Sequence, residues 1–244
     1  MTPAALRARV LRELVLAGAL PRTTRWPPVL AGWLMAAGLL TWKAGDVRDA
    51  AGAVTRLRVV AVLLATSVVA LADDAAANQL AAAPVPLAWR YGVRCGLASL
   101  AVAIPWAGAL LWVRPGSLAA ALSLECAALT AVALAVAGGV AHWSGARDAS
   151  VAAGPAVFAA AVLASVLPNG WALYATPGDG WAAAHLRWAC VLTGALALLA
   201  ATVRDPAQRR WSRDHRWRHP HPPAQTLDRS DAPPDPRQDG ATRP

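Results

Sequence analysis

The sequence predicts an all-α fold: a polytopic membrane bundle of about six transmembrane helices, preceded by a helix at the membrane surface. Three observations predict this class. The 244 residues are 57% hydrophobic and only 15% charged, whereas about a quarter of the residues in a soluble domain are charged. The apolar residues form six runs near the ~20-residue length that crosses a bilayer. Because these runs are contiguous, they do not fit the alternating strands of a membrane barrel.

Residues 1–25 are predicted to form an amphipathic helix in the headgroup region of the membrane. Leu6, Val10 and Leu14 share one face of a helical wheel, and two arginines lie on the opposite face. This pattern is typical of a helix that lies in the plane of the interface. The alternative interpretation is a cytoplasmic helix without a membrane contact.

The transmembrane domain is predicted to cover residues 26–203. Tryptophans flank the first run, as expected at the two membrane interfaces. Arg58, Arg94 and Arg187 lie near the ends of later runs, so their side chains are expected to extend toward the polar surface and not to act in catalysis. The six predicted spans are 26–42, 57–72, 91–113, 118–141, 151–167 and 181–203.

The basic residues indicate how the bundle is oriented. Six spans place both termini on one side, and with that side in the cytoplasm seventeen of the 23 Lys and Arg residues are cytoplasmic. This excess predicts a multi-pass protein of the cell membrane with both termini cytoplasmic. The four basic residues in 43–58, which covers the loop between the first two spans and the start of the second, run against the rule. Because the basic residues flank apolar runs, we expect a lipid membrane and not nucleic acid as their partner.

The C-terminal residues 204–244 differ in composition from the rest of the chain. They are basic and rich in proline, and they lack apolar periodicity. Such a segment cannot bury enough apolar surface to fold. It is therefore predicted to be a disordered cytoplasmic tail.

The sequence gives no indication of an enzyme. It contains no P-loop, HExxH or GxSxG motif, so we expect neither ATP binding nor catalysis by this chain. The three cysteines lie in apolar runs, apart from any Cys/His cluster. No disulfide framework, metal site or other cofactor is therefore expected.

Two features of the fourth span are unusual for an apolar helix. The pair Gly138-Gly139 predicts close packing against another helix. Glu125 is an acid deep in the span, where ionisable side chains are costly and often functional. Three interpretations of Glu125 are open: a residue of a proton or substrate pathway, a polar contact between helices or subunits, and a neutral, protonated acid that is simply packed.

The loop between spans five and six, residues 168–181, is more apolar than an exposed loop needs to be. It combines turn-forming residues with Trp171, Leu173 and Tyr174. We expect this loop to be external, either as a re-entrant or interfacial element or as a simple solvated loop.

The loop between spans two and three, residues 73–90, is predicted to contain a short, bounded helix. Asp73 or Asp74 can cap its N-terminus, its Ala-rich centre favours helix, and two prolines end it. Such a stiff element is suited to docking against another protein; a helical elbow without a partner is the alternative. The candidate partner-binding residues are Asp73, Asp74, Asn78, Gln79, Leu80, Pro84, Pro86 and Arg90.

A resemblance to a known family rests on this segment. The run D-D-x-A-x-x-x-L-A-x-x-P-x-P-L-x-x-R-x-x-x-R, from Asp73 to Arg94, resembles a poorly characterised group of six-span ABC transporter permeases from high-GC bacteria. The layout of residues 3–203 is also similar to the wider ABC-2 exporter type. This resemblance implies an interfacial helix at 3–20, a coupling helix at 73–87 and an external re-entrant element at 168–181.

The resemblance also implies a function: the permease subunit of an ABC transporter, an exporter. A separate ABC ATPase subunit would bind ATP and dock on the 73–90 loop. The pathway would be formed by a homodimer, or by a heterodimer with a second permease. Two other functions are open. One is a membrane anchor or assembly protein that recruits a soluble partner, and the other is a small secondary transporter, for which Glu125 would be essential.

Overall fold

The computed structural model of the protein describes residues 25–42, 50–72, 87–144, 149–168, 171–178 and 180–203. Every regular element within these ranges is helical, so the predicted all-α class is confirmed. The six helices are α1 (Trp26–Thr41), α2 (Ala50–Ser67), α3 (Leu87–Val113), α4 (Ala119–Ser144), α5 (Ala149–Ser165) and α6 (Trp181–Val203). A 3-10 turn, Val68–Ala72, follows α2, and a second, Gly116–Leu118, precedes α4.

Several predicted elements lie outside the described residues. They are nearly all of the predicted N-terminal helix, the 73–86 part of the loop between α2 and α3, and the C-terminal tail from residue 204. The described helices all belong to one compact unit, Met1–Asp205.

Four of the described helical segments are long and apolar enough to span a membrane. They are Ala51–Ala72, Tyr91–Val113, Gly116–Ala141 and Trp181–Thr202. The helix Trp26–Thr41 and the segment Ser150–Ser165 are apolar but shorter. At 1.5 Å per residue, the 16 residues of α1 extend about 24 Å, against a hydrocarbon core of about 30 Å. The four long segments are consistent with a multi-pass membrane protein.

Helix α2 begins earlier than the sequence predicted. It starts at Ala50, whereas hydropathy placed the start of the second span at Leu57. The added segment is rich in alanine, which favours helix without raising hydropathy as strongly as leucine or valine does. Within this segment, the Thr55 hydroxyl donates a hydrogen bond to the carbonyl of Ala51, one turn earlier, at 3.0 Å. As a result Arg58 lies more than two turns inside α2 and not at its end.

Helix α4 is the centre of the bundle and contacts α2, α3, α5 and α6. Its residues are apolar on every side of the helix, a pattern typical of a helix surrounded by others. Buried residues therefore occur throughout its length, among them Leu122, Cys126, Leu129, Ala133 and Ala137. Its many alanines allow the neighbouring backbones to approach closely.

Specific contacts show the relative directions of the helices. Near the start of α3, the Tyr91 hydroxyl donates to the Leu134 carbonyl in the second half of α4, at 3.1 Å. Near the end of α3, Trp106 Nε1 donates to Ser123 Oγ in the first turns of α4, at 3.1 Å. The two helices are therefore antiparallel.

The close packing predicted for Gly138 is confirmed. A methyl group at this position would overlap the Tyr91 hydroxyl of α3, and would lie 3.2 Å from Thr202 Oγ1 near the end of α6. Gly138 is itself near the end of α4, so α4 and α6 run parallel. The first turns of these two helices consequently lie at the same end of the bundle.

Candidate functional site

Glu125 forms a bidentate ion pair with Arg58. It lies in the second turn of α4, and its side chain is 1% exposed. Arg58 Nε donates to Glu125 Oε2 and Arg58 Nη2 donates to Oε1, both at 2.8 Å. This geometry matches the planar guanidinium to both oxygens of an ionised carboxylate, which is the strong form of such a pair. It connects α2 directly to the central helix.

Arg58 is held by further contacts that complete its environment. Nη2 also donates to the carbonyl of Ala175 at 2.8 Å. The guanidinium carbon lies 5.0 Å from the ring centroid of Tyr174 and 5.6 Å from that of Trp181, within range of a cation–π interaction. The Arg58 side chain is only 14% exposed as a result.

The prediction that Arg58 extends to the polar surface is therefore wrong. The physical reason is that a buried carboxylate on α4 satisfies the guanidinium inside the bundle. The same prediction is wrong for Arg94, which is 6% exposed. Arg187 does lie near the start of α6, but it is tied to the neighbouring loop, because its Nη1 donates to the Ala172 carbonyl at 2.7 Å.

His185, in the second turn of α6, is the third member of the cluster. Its Nε2 lies 3.2 Å from Glu125 Oε1, although the contact is not aligned as a hydrogen bond. Its Nδ1 lies 2.8 Å from the carbonyl oxygen of Trp181, one turn earlier. The ring also packs against Trp181, with 4.3 Å between centroids. We call Arg58, Glu125 and His185 the charged cluster.

The loop between α5 and α6 folds back over this end of the bundle. Three of its carbonyl groups accept hydrogen bonds from helix side chains: Ala175 from Arg58, Ala172 from Arg187, and Leu173 from Trp188 Nε1 at 2.8 Å. Leu173 and Tyr174 pack against the hydrophobic core, whereas Trp171 is 73% exposed. The apolar residues that made this loop unusual in the sequence are thus divided between the bundle and its outer surface.

Tyr174 borders the charged cluster. Its ring lies 5.4 Å from the ring of Trp188, and its hydroxyl is buried with no hydrogen-bond partner in the part of the chain that the structure describes. Burial, together with the Glu125 carboxylate, raises the pKa of Tyr174 to about 12, and the Arg58 guanidinium offsets part of that rise. The phenol is therefore neutral at physiological pH.

Two grooves open on the outside of the described bundle. One, of about 390 Å³, lies between α2 and α5, and Arg58 and Tyr174 are at its polar end. The other, of about 550 Å³, lies between α1 and α3 and is lined almost entirely by apolar side chains, including Trp33 and Trp112. The apolar side chains that line these grooves are compatible with contact to lipid.

The residues predicted to bind a partner have a different status. Seven of them lie outside the described residues: Asp73, Asp74, Asn78, Gln79, Leu80, Pro84 and Pro86. Arg90 is in the first turn of α3. The structure does describe the turn that leads into this segment, Val68–Ala72, and all five of its residues are buried.

The sequence interpretation of Glu125 included a polar contact between helices, and the structure places Glu125 in such a contact. His185 was not identified from the sequence, and Arg58 was assigned to the surface. One signal could have found both. Arg58 lies about two turns inside the second helix, and Glu125 and His185 lie in the second turns of the fourth and sixth helices. These three helices alternate in direction with the other three and so begin on the same side.

Comparison with known proteins identifies no relative: no protein-family model, no curated protein and no solved structure matches this chain.

Proposed function

We propose that this chain is the permease subunit of an ABC exporter. It would cross the cell membrane six times, with both termini in the cytoplasm, and a separate ATPase subunit would bind ATP. The proposal is supported by the resemblance of residues 73–94 to such permeases and by a fold of six apolar helices. In this topology the 73–86 segment is cytoplasmic and the charged cluster lies toward the external side.

The observation that carries the proposal is the connection between α2 and the 73–86 segment. The 3-10 turn that extends α2, Val68–Ala72, is buried: its five residues are between 0% and 8% exposed. Asp73 follows them directly in the sequence. A partner that moves the 73–86 segment would therefore act on buried packing and not on a loose tether.

The remainder of α2 would transmit this motion to the bundle. α2 is joined to the central helix α4 by the Arg58–Glu125 pair. ATP-driven closure of the ATPase dimer would push on the cytoplasmic segment and tilt α2 with respect to α4. The permease would then shift between inward-open and outward-open populations, because the ATPase contacts differ in the two states.

A second permease would complete the pathway. Within the described part of the chain, α3 and α6 bury small shares of their surfaces, 28% and 17% of their most apolar windows. Large apolar side chains project from them, including Leu100, Leu111 and Leu186, each at least 60% exposed. These faces are available to lipid or to a second permease, identical or related.

An ABC ATPase reading frame beside that of this chain would be the first support for the proposal. The experiment is reconstitution with that ATPase, and the assay is ATP hydrolysis by the purified complex in liposomes. The double variant Asp73→Arg/Asp74→Arg is expected to lose ATPase co-purification or its stimulation by the permease. The matched control is Asp46→Arg/Asp49→Arg, which reverses two acids in the loop on the opposite side of the membrane. Equal effects of the two double variants, or no effect of the first, would contradict the proposal.

One observation favours a second candidate, a small secondary transporter. The charged cluster places three ionisable side chains inside the bundle, where such groups often line ion pathways. In that case uptake into liposomes would follow an imposed pH gradient without ATP, and Glu125→Gln would abolish it. ATP-dependent flux that persists in Glu125→Gln would exclude this candidate in favour of the exporter.

A further inference from the structure

The two ring nitrogens of His185 are in different situations. Nδ1 is 2.8 Å from the carbonyl oxygen of Trp181. Because a carbonyl oxygen can only accept a hydrogen bond, Nδ1 must carry a hydrogen and donate it. In the neutral ring the other nitrogen, Nε2, is then unprotonated and presents a lone pair. The contact within α6 therefore fixes the tautomer of neutral His185.

In the folded protein Nε2 faces an acceptor. Glu125 Oε1 is 3.2 Å away, and the same carboxylate accepts two hydrogen bonds from Arg58. Two acceptors at this separation repel each other unless one of them carries a proton. Nε2 is buried and has no hydrogen-bond partner among the residues described by the structure.

We propose that Glu125 and His185 form a proton-binding site, in which Nε2 binds a proton beside the carboxylate oxygen 3.2 Å away. The two bonds from Arg58 favour the ionised carboxylate, so the proton resides on the ring. The charged cluster then carries one net positive charge with the proton bound and none without it. This inference rests on the geometry of the cluster and does not depend on the proposed exporter function.

Few other ionisable side chains surround this pair in the part of the chain that the structure describes. Arg58 from α2 is permanently charged. Tyr174 from the α5–α6 loop has a pKa of about 12 and stays neutral. Cys126, next to Glu125 on α4, is buried. The sequence of α5 contains no ionisable side chain, and those of α3 fall in its first turns, at the other end of the bundle.

Loss of the proton is expected to weaken the connection between α4 and α6. The Nε2 lone pair would then face Oε1 directly, and the repulsion would move the ring away from the carboxylate. The Arg58–Glu125 pair would remain intact, because it does not share that proton.

The direct test is nitrogen NMR on the full chain, labelled with ¹⁵N in its histidine rings and reconstituted in phosphatidylcholine–phosphatidylglycerol nanodiscs. The chemical shifts report which ring nitrogens carry a proton at each pH. At low pH both nitrogens of His185 are expected to be protonated. At high pH Nδ1 is expected to keep its proton and Nε2 to lose it. His185→Gln identifies the signal, and His142→Gln, which removes a histidine at the far end of α4, is the matched control.

The variant Glu125→Gln then tests the shared site. It removes the negative charge beside Nε2, so the pH at which Nε2 loses its proton is expected to fall by about one to three units relative to the wild type. An unchanged midpoint in Glu125→Gln would overturn the proposal. The wild-type measurement decides the matter even if that variant does not fold. A neutral ring protonated on Nε2, or an Nε2 that does not titrate between about pH 4 and 9, would refute the site.

Discussion

Replacing Arg58 by methionine is expected to destabilise the folded protein by several kcal/mol at neutral pH. The substitution keeps an unbranched side chain but removes both hydrogen bonds that α2 gives to the Glu125 carboxylate. That carboxylate is 1% exposed, so it would be left charged in a buried position. Breaking a buried ion pair by removing one partner typically costs about 3–5 kcal/mol.

The pH dependence of this loss follows from the alternative open to the variant, which is to protonate Glu125. The free energy needed to protonate a carboxylate falls by about 1.4 kcal/mol for each unit by which the pH is lowered. The variant adopts whichever state of Glu125 costs less free energy, so the loss of stability should be smaller at pH 5 than at pH 7, by up to about 3 kcal/mol.

The assay is denaturant unfolding in detergent micelles at both pH values. The double variant Arg58→Met/Glu125→Gln removes the stranded charge, so it should recover much of the loss seen at pH 7. The control Arg114→Met removes the same charge from an exposed residue and should change stability by less than about 0.5 kcal/mol. A loss equal at both pH values, or a double variant no more stable than the single one, would refute the reasoning.

Smaller changes test the packing around the site, each measured by unfolding under the same conditions. Gly32→Ala should cost about 1–3 kcal/mol, because the added methyl group would overlap the side chain of Ser67 on α2. Gly38→Ala, where no atom lies within 4 Å of the new methyl group, should be neutral or stabilising by up to about 1 kcal/mol. Tyr174→Phe removes a buried hydroxyl without a partner among the described residues and should not destabilise, whereas Tyr91→Phe loses a hydrogen bond to α4 and should cost about 1 kcal/mol. Destabilisation by Tyr174→Phe or by Gly38→Ala would contradict the contacts described for these two positions.

The helical class could be predicted from the sequence because its signal is local. A contiguous apolar run identifies a buried or membrane helix without knowledge of its neighbours. The start of α2 was missed for the same reason: the segment from Ala50 to Arg56 is helical through its propensity and its packing, and not through its hydropathy. Hydropathy thus located the helices but not their ends. The position of the start of α2 determines whether Arg58 lies at the end of the helix or inside it.

The charged cluster depends on information that a single run does not contain. Arg58 and Glu125 are 67 residues apart in the chain, and their contact requires both the parallel alignment of α2 and α4 and the correct rotation of each helix. Alternation of helix direction supplies the alignment. The rotation follows from tertiary packing, which also determines that the α5–α6 loop turns Tyr174 toward the cluster. A search for ionisable residues at equal depth in alternate spans would therefore have proposed the pair without proving it.

The middle of α2 and its C-terminal extension are held by different forces, and this difference decides how a push at Asp73 would move the bundle under the proposed function. At Arg58, in the middle of the helix, α2 is fixed by three hydrogen bonds from one arginine, which are directional. At the C-terminal end, the buried turn Val68–Ala72 is held by apolar packing, which is not directional.

We therefore expect the cluster to act as the pivot and the Val68–Ala72 end to move. From Arg58 to Ala72 the helix and its 3-10 extension are about 23 Å long, so a tilt of about 10° would displace the Val68–Ala72 end by about 4 Å. Release of the proton from His185 would leave this pivot intact, because the bonds from Arg58 do not involve Nε2. The pH response between α4 and α6 and the coupling motion of α2 can therefore be altered separately, the first through His185 and the second through Arg58.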